Sequence, residues 1–134
     1  MTWLVALFLA AHALIHASFV SPRPPATAGG PAWPFELARS WLLSPLGLDA
    51  NATRVVGVVL IVVTLAGFAV AALATLGVLG DGLFAPGIAV GSVASIALLA
   101  AFFHPWLVLG VGIDAVLLYA VLVARWSPAG GLPG

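Results

Sequence analysis

Residues Trp3–Val20 read WLVALFLAAHALIHASFV, an apolar run close to the length of one membrane crossing that carries two imidazoles, His12 and His16, one helical turn apart. Three more runs follow it: Ala52–Leu79, Leu83–Phe103 and Trp106–Ala124. Each is near or above the ~20 residues a helix needs to cross ~30 Å of hydrocarbon. The pattern predicts an all-α integral membrane protein. It is a single four-transmembrane-helix bundle over residues 1–134, with helices at about 3–20, 52–79, 83–103 and 105–126.

Composition points the same way. The chain is 63% hydrophobic and 6% charged with a mean hydropathy of +1.25, whereas soluble domains carry about 25% charged residues. A water-soluble fold would have little to coat itself with. There is no lysine and the formal net charge is zero, so nucleic acid is excluded as a partner and the lipid bilayer is expected. With no cysteine, disulfides and thiolate metal sites are ruled out, and metal binding would have to use His, Asp or Glu. The first run reads as a span rather than a signal peptide, because it lacks a basic leader and holds two histidines.

The second run is the longest, opening at the capping residues Asp49, Asn51 and Thr53 and closing at Gly80-Asp81-Gly82. Capping explains Asn51-Ala52-Thr53 better than glycosylation does. His104-Pro105 breaks the third run from the fourth, and Ser127-Pro128 stops the last. Between the first two runs lies a Pro/Gly-rich loop whose second half, about 34–43, predicts a short amphipathic interfacial helix with Trp33 and Trp41 as anchors. Arg23, Arg39 and Arg54 lie on this side and Arg125 on the other, which places loop 21–51 in the cytoplasm and both termini outside.

Small residues suggest where helices meet: Ala6, Ala10, Ala13 and Ala17 on the first, Gly87, Gly91, Ala94 and Ser95 on the third. The histidines lie roughly 110° around from the alanine stripe, free to face the bundle centre or another copy. Depth counting at ~1.5 Å per residue puts His12 near mid-bilayer, level with Asp114 on the fourth helix, and His16 one turn toward the loop. Two groupings follow. One is a midplane cluster of His12, His16 and Asp114; the other is a loop-side group of His16 and His104 with Glu36 reaching down.

A lone carboxylate at mid-bilayer costs at least ~2.5–3.5 kcal/mol and survives by protonation or pairing. A His12 N–H donated to Asp114 would orient the ring and leave its other nitrogen as a ligand or proton acceptor, with simple interhelical glue as the plain alternative. Two imidazoles one turn apart also suit a transition metal (zinc, iron or copper). Haem is a weaker fit: His12 and His16 share a face, so only His16 with His104 could flank a ring. Thr64, Thr75, Ser92 and Ser95 are expected to bond their own helix carbonyls, Tyr119 and Trp126 to sit at an interface or core contact, and Glu36 with Arg39 to form a solvated pair. No phosphate loop or nucleophile elbow is present.

AHALIHASF resembles the His-Gly-Leu-Ile-His start of a group of small, uncharacterised bacterial four-helix membrane proteins, with Ala13 where that pattern has glycine. The similarity extends to GGPAWPFELARSWLL and AFFHPWLVLGVGID. It implies the four-helix topology in a bacterial inner membrane and marks His12, His16, Trp33, Trp41, His104, Pro105 and Asp114; it implies no activity. The expectation is a non-enzymatic homo-oligomer or accessory subunit of a larger membrane complex, whose His/Asp cluster binds a metal ion or relays protons. The alternatives are a small transporter or channel for protons or metal ions and, more weakly, a redox protein with haem or a histidine-bound metal.

Overall fold

The computed structural model describes residues 2–21, 28–29, 35–128 and 130, and among them the ordered elements are helical. Four α-helices follow in order: α1 (Thr2–Ala17), α2 (Ala50–Thr75), α3 (Phe84–Ala101) and α4 (Val108–Leu122). With their adjoining 3-10 turns, all four are long and apolar enough to cross a membrane by length and composition. Most of their large apolar side chains point outward, Trp3, Leu14, Leu109 and Val116 among them.

Several ends come earlier than the hydropathy suggests, each for a local reason. The Asp49 carboxylate accepts the Ala52 N–H at 2.7 Å and starts α2 two residues before the apolar run. Gly77, at φ 73, ends α2 well before Gly80: its N–H bonds the Ala74 carbonyl and that of Val78 bonds Leu73, the paired bonds of a Schellman stop. A 3-10 turn, Pro105–Leu107, precedes α4. The far end of α4 turns at Arg125, whose φ of 49 releases the chain before Ser127-Pro128 is reached.

The amphipathic helix expected at 34–43 is absent over its described part, 35–43, which runs as successive turns into a 3-10 helix, Ser44–Leu46. Pro34 and Trp33 lie outside the described residues. Phe35 and Leu37, two apart, both insert into the bundle, a spacing that a helix would send to opposite sides. Ser40 completes the conversion: its Oγ donates to the Ala101 carbonyl and accepts the N–H groups of Leu42 and Leu43. Such side-chain bonds offer the backbone an alternative to the helical ladder. Trp41 is exposed and donates its indole N–H to the Ala100 carbonyl at 2.8 Å.

The closest helix pair is α2 with α3. A Cβ added to Gly67 would fall 2.4 Å from the Gly91 nitrogen, and one added to Gly87 would fall 2.8 Å from the Ala71 nitrogen, so the two backbones are in contact. The expected small-residue face of α3 is therefore real and meets α2. On α1 the alanine stripe splits: Ala6 and Ala13 are buried beside Leu9, His12 and His16, while Ala10 points outward. Neighbours in sequence pack, α1 on α2 and α3 on α4, but α4 does not close tightly back onto α1. Two apolar clusters fill the ends of the bundle, one around Leu9, Phe68 and Ile88, the other around Phe35, Ile61, Leu98 and Phe102. On each of α1, α3 and α4 a polar residue interrupts the apolar packing.

Candidate functional site: a closed polar ring

His12, His16, Ser95 and Asp114 come together inside the bundle, and none is more than 4% exposed. His12 Nε2 and Asp114 Oδ1 are 3.0 Å apart, joining α1 to α4. Asp114 Oδ2 lies 2.5 Å from Ser95 Oγ, joining α4 to α3. Ser95 Oγ lies 2.7 Å from His16 Nε2, which returns to α1. His16 Nδ1 then donates to the His12 carbonyl one turn back, at 3.0 Å. The chain begins and ends on His12, so it is a ring of four hydrogen bonds through three helices. No other side chain of the described residues joins it.

Proton counting fixes much of its chemistry. Four links need four protons, and Ser95, with a single O–H, can donate to Asp114 or to His16 but not to both. All four links are filled at zero net charge in two arrangements. In one, Asp114 is a carboxylic acid donating to Ser95, which donates to neutral His16. In the other, Asp114 is a carboxylate accepting from Ser95, and His16 is an imidazolium donating to Ser95. The arrangements differ by a concerted shift of two protons. In both, His12 donates from Nε2 and its Nδ1 is a bare acceptor, because the reverse assignment fills the ring only with an added positive charge. A buried net charge costs several kcal/mol after relaxation, so the neutral count is the stable one.

Aromatic rings wall this group in. His12 meets Phe68 edge-on at 5.0 Å, and His16 meets Phe19 at 5.5 Å. Phe19 in turn stacks on Phe35 of the loop at 4.1 Å. The loop therefore acts as a plug over the His16 end, a role its turns permit and a surface helix would not.

Of the two groupings the sequence allowed, the structure assembles the one around His12, His16 and Asp114. His104 is half-buried and serves as a helix cap: its Nδ1 accepts the Trp106 N–H at 3.3 Å. Glu36 is exposed on the loop and does not belong to the buried His/Asp group. Both nitrogens of His16 are engaged, so neither is free for an axial bond to haem iron. Three potential metal-donor atoms from His12, His16 and Asp114 lie within 4.8 Å of one another. A metal ion drawing on them would have to displace ring protons, since the facing nitrogens and oxygens already satisfy each other.

Ser95 is the residue the sequence reading passed over. Thr75 does bond its own helix, at the Ala71 carbonyl, but Ser95 bonds across helices instead. Its depth carried the signal: Ser95 and Asp114 stand almost equally far from the His104-Pro105 break, one on each side. Thr53, Thr64 and Ser92 are also buried, and their hydroxyls have no partner. Comparison with protein-family models, with curated proteins and with solved structures found no match for this chain.

Proposed function

We propose that this chain is a four-helix integral membrane protein, a non-enzymatic subunit of a homo-oligomer or larger complex, whose central ring holds one proton shared between Asp114 and His16. The observation that carries this is the closed circuit of four hydrogen bonds on three helices, which a zero net charge suffices to fill. Closure also argues against a conduit, because a proton wire or ion path needs polar groups bonded onward at both ends, and among the described residues no further side chain is hydrogen-bonded to the ring. The arginine distribution favours loop 21–51 in the cytoplasm, and the resemblance to small four-helix bacterial proteins favours the inner membrane.

The test is ¹⁵N NMR of histidine-labelled protein in bilayers, with elemental analysis of the same sample. His12 is expected to be protonated at Nε2 and bare at Nδ1, and His16 protonated at Nδ1. Ser95→Ala should leave the His12 pattern intact and move the His16 Nε2 resonance to that of an unbonded nitrogen. A proton on His12 Nδ1, or stoichiometric zinc, iron or copper in the purified protein, would overturn the proposal.

A further inference from the structure

Beside the ring, between α1 and α4, lies a cavity of about 150 Å³ walled by His12, His16, Phe19, Leu99, Leu107 and Ile113. Its rim includes Ile15, Trp106 and Leu109, 58%, 65% and 74% exposed, so it opens outward between α1 and the start of α4. In a membrane that opening faces acyl chains. The ring's own bonding adds one polar element to this apolar wall. His12 spends Nε2 on Asp114 and is 96% buried, since only 4% of it is exposed, yet its Nδ1 has no partner. A carboxyl group bound to one imidazole nitrogen fixes the tautomer and the ring orientation. Of the two histidines that line the cavity, His12 therefore carries the one unbonded ring nitrogen, an acceptor, and neither has a free donor.

We propose that this cavity binds a membrane-dissolved molecule bearing a single-ring phenol, whose hydroxyl donates to His12 Nδ1 and whose para substituent leaves through the α1–α4 opening. Three observations select that class. An apolar void of this size holds one benzene-sized ring. The lone acceptor calls for a donor, which an acyl chain or a ketone lacks and a phenol supplies on an otherwise apolar body. The side opening admits a solute from lipid and leaves room for a tail. The inference stands on the cavity and the His12–Asp114 bond, and it holds whether or not a proton moves between Asp114 and His16.

The experiment uses the full chain in nanodiscs with p-cresol and toluene, which share a ring and a methyl group and differ by the hydroxyl. Binding is followed by the His12 ¹⁵Nδ1 resonance and by titration, corrected for partition into lipid. p-Cresol should shift Nδ1 and bind roughly five- to tenfold tighter than toluene, the worth of about one net neutral hydrogen bond. Gly110→Leu, which places a side chain in the cavity from α4, should abolish binding of both while leaving His12 protonated at Nε2 and His16 at Nδ1. Equal affinity for the two probes would mean an apolar slot for lipid chains and would overturn the phenol assignment, as would p-cresol binding that leaves Nδ1 unmoved or survives Gly110→Leu. A histidine pattern without Nε2–H on His12, seen before any probe is added, would instead refute the ring itself.

Discussion

Replacing Asp114 by asparagine and by leucine separates a neutral ring from an essential ion pair. Asparagine can copy the carboxylic acid arrangement link by link: its carbonyl accepts from His12 Nε2–H, and its amide donates to Ser95, which still donates to His16. All four bonds survive with no charge anywhere. Leucine keeps the bulk but removes two bonds, those at 3.0 Å and 2.5 Å. Ser95 can still serve His16, but the His12 N–H is left buried without an acceptor. Interhelical hydrogen bonds in membranes average ~0.6 kcal/mol and reach ~1.7, while an orphaned buried donor costs ~1–3 kcal/mol. Asp114→Leu should therefore cost about 1–4 kcal/mol, and Asp114→Asn less than about 1 kcal/mol.

The assay is reversible unfolding in mixed micelles of increasing denaturing-detergent fraction, followed by tryptophan fluorescence, or steric trapping in bicelles. If Asp114→Asn lost as much stability as Asp114→Leu, the ring would depend on a true carboxylate, and the carboxylic acid arrangement would be ruled out in favour of the carboxylate–imidazolium one. If neither variant lost stability, the His12–Asp114 bond would not hold α1 to α4 at all.

The same measurement checks three other features of the fold. Gly67→Ala should destabilise by ~1–3 kcal/mol, because its new Cβ meets the Gly91 backbone at 2.4 Å, whereas Gly112→Ala, with nothing within 4 Å, should be neutral or slightly stabilising. Asp49→Ala should cost ~0.5–2 kcal/mol through loss of the cap on α2, with helix content fraying only at that end by hydrogen exchange. Ser40→Ala frees the loop from Ala101 and should speed tryptic cleavage after the exposed Arg39, while leaving detergent-unfolding midpoints within about 1 kcal/mol of the parent.

The fold was legible because hydropathy reports directly on which segments are long and apolar enough, and the four runs leave little else to choose. Depth counting also found the His12–Asp114 pairing, since a constant rise per residue needs no knowledge of packing. It failed where partners are set by rotation and by close approach. Ser95 lay on a face already explained by Gly87 and Gly91, so its hydroxyl was credited to its own helix. Only the approach of α3 to α4 turns it to Asp114. The loop was misread for a related reason: Phe35, Leu37, Trp41 and Leu42 fit a surface helix by composition, while the deciding contacts, Ser40 to Ala101 and Phe35 to Phe19 and Phe102, are with elements distant in sequence. His104 next to Pro105 announced a break, and a capping role follows from it without any second cluster.

The ring and the cavity have a common origin in the way α1 spends its buried face. Ala6, Leu9 and Ala13 contribute to the same apolar cluster as Phe68, Ala71 and Ala72 of α2, and glycine contacts bring α2 against α3, so these seams are filled by backbone and small side chains. The seam between α1 and α4 is thinner: Val121 and Leu117 of α4 join that cluster, but Gly112 has no neighbour for a Cβ and Gly110 meets only the tip of Leu99. Midway along α4, close packing, the main attraction between helices in lipid, therefore contributes little. At that level His12 and Asp114 join the two helices, and the space left beside their contact is the cavity. A polar bond that fastens two loosely fitting helices leaves one imidazole nitrogen unbonded on a residue that lines the gap it bridges. Filling the gap from α4 should therefore reduce the stability lost when Asp114 is changed to leucine, since packing would then take over part of the work of the hydrogen bond. A Gly110→Leu, Asp114→Leu double-mutant cycle with additive losses would show that the seam and the ring are independent.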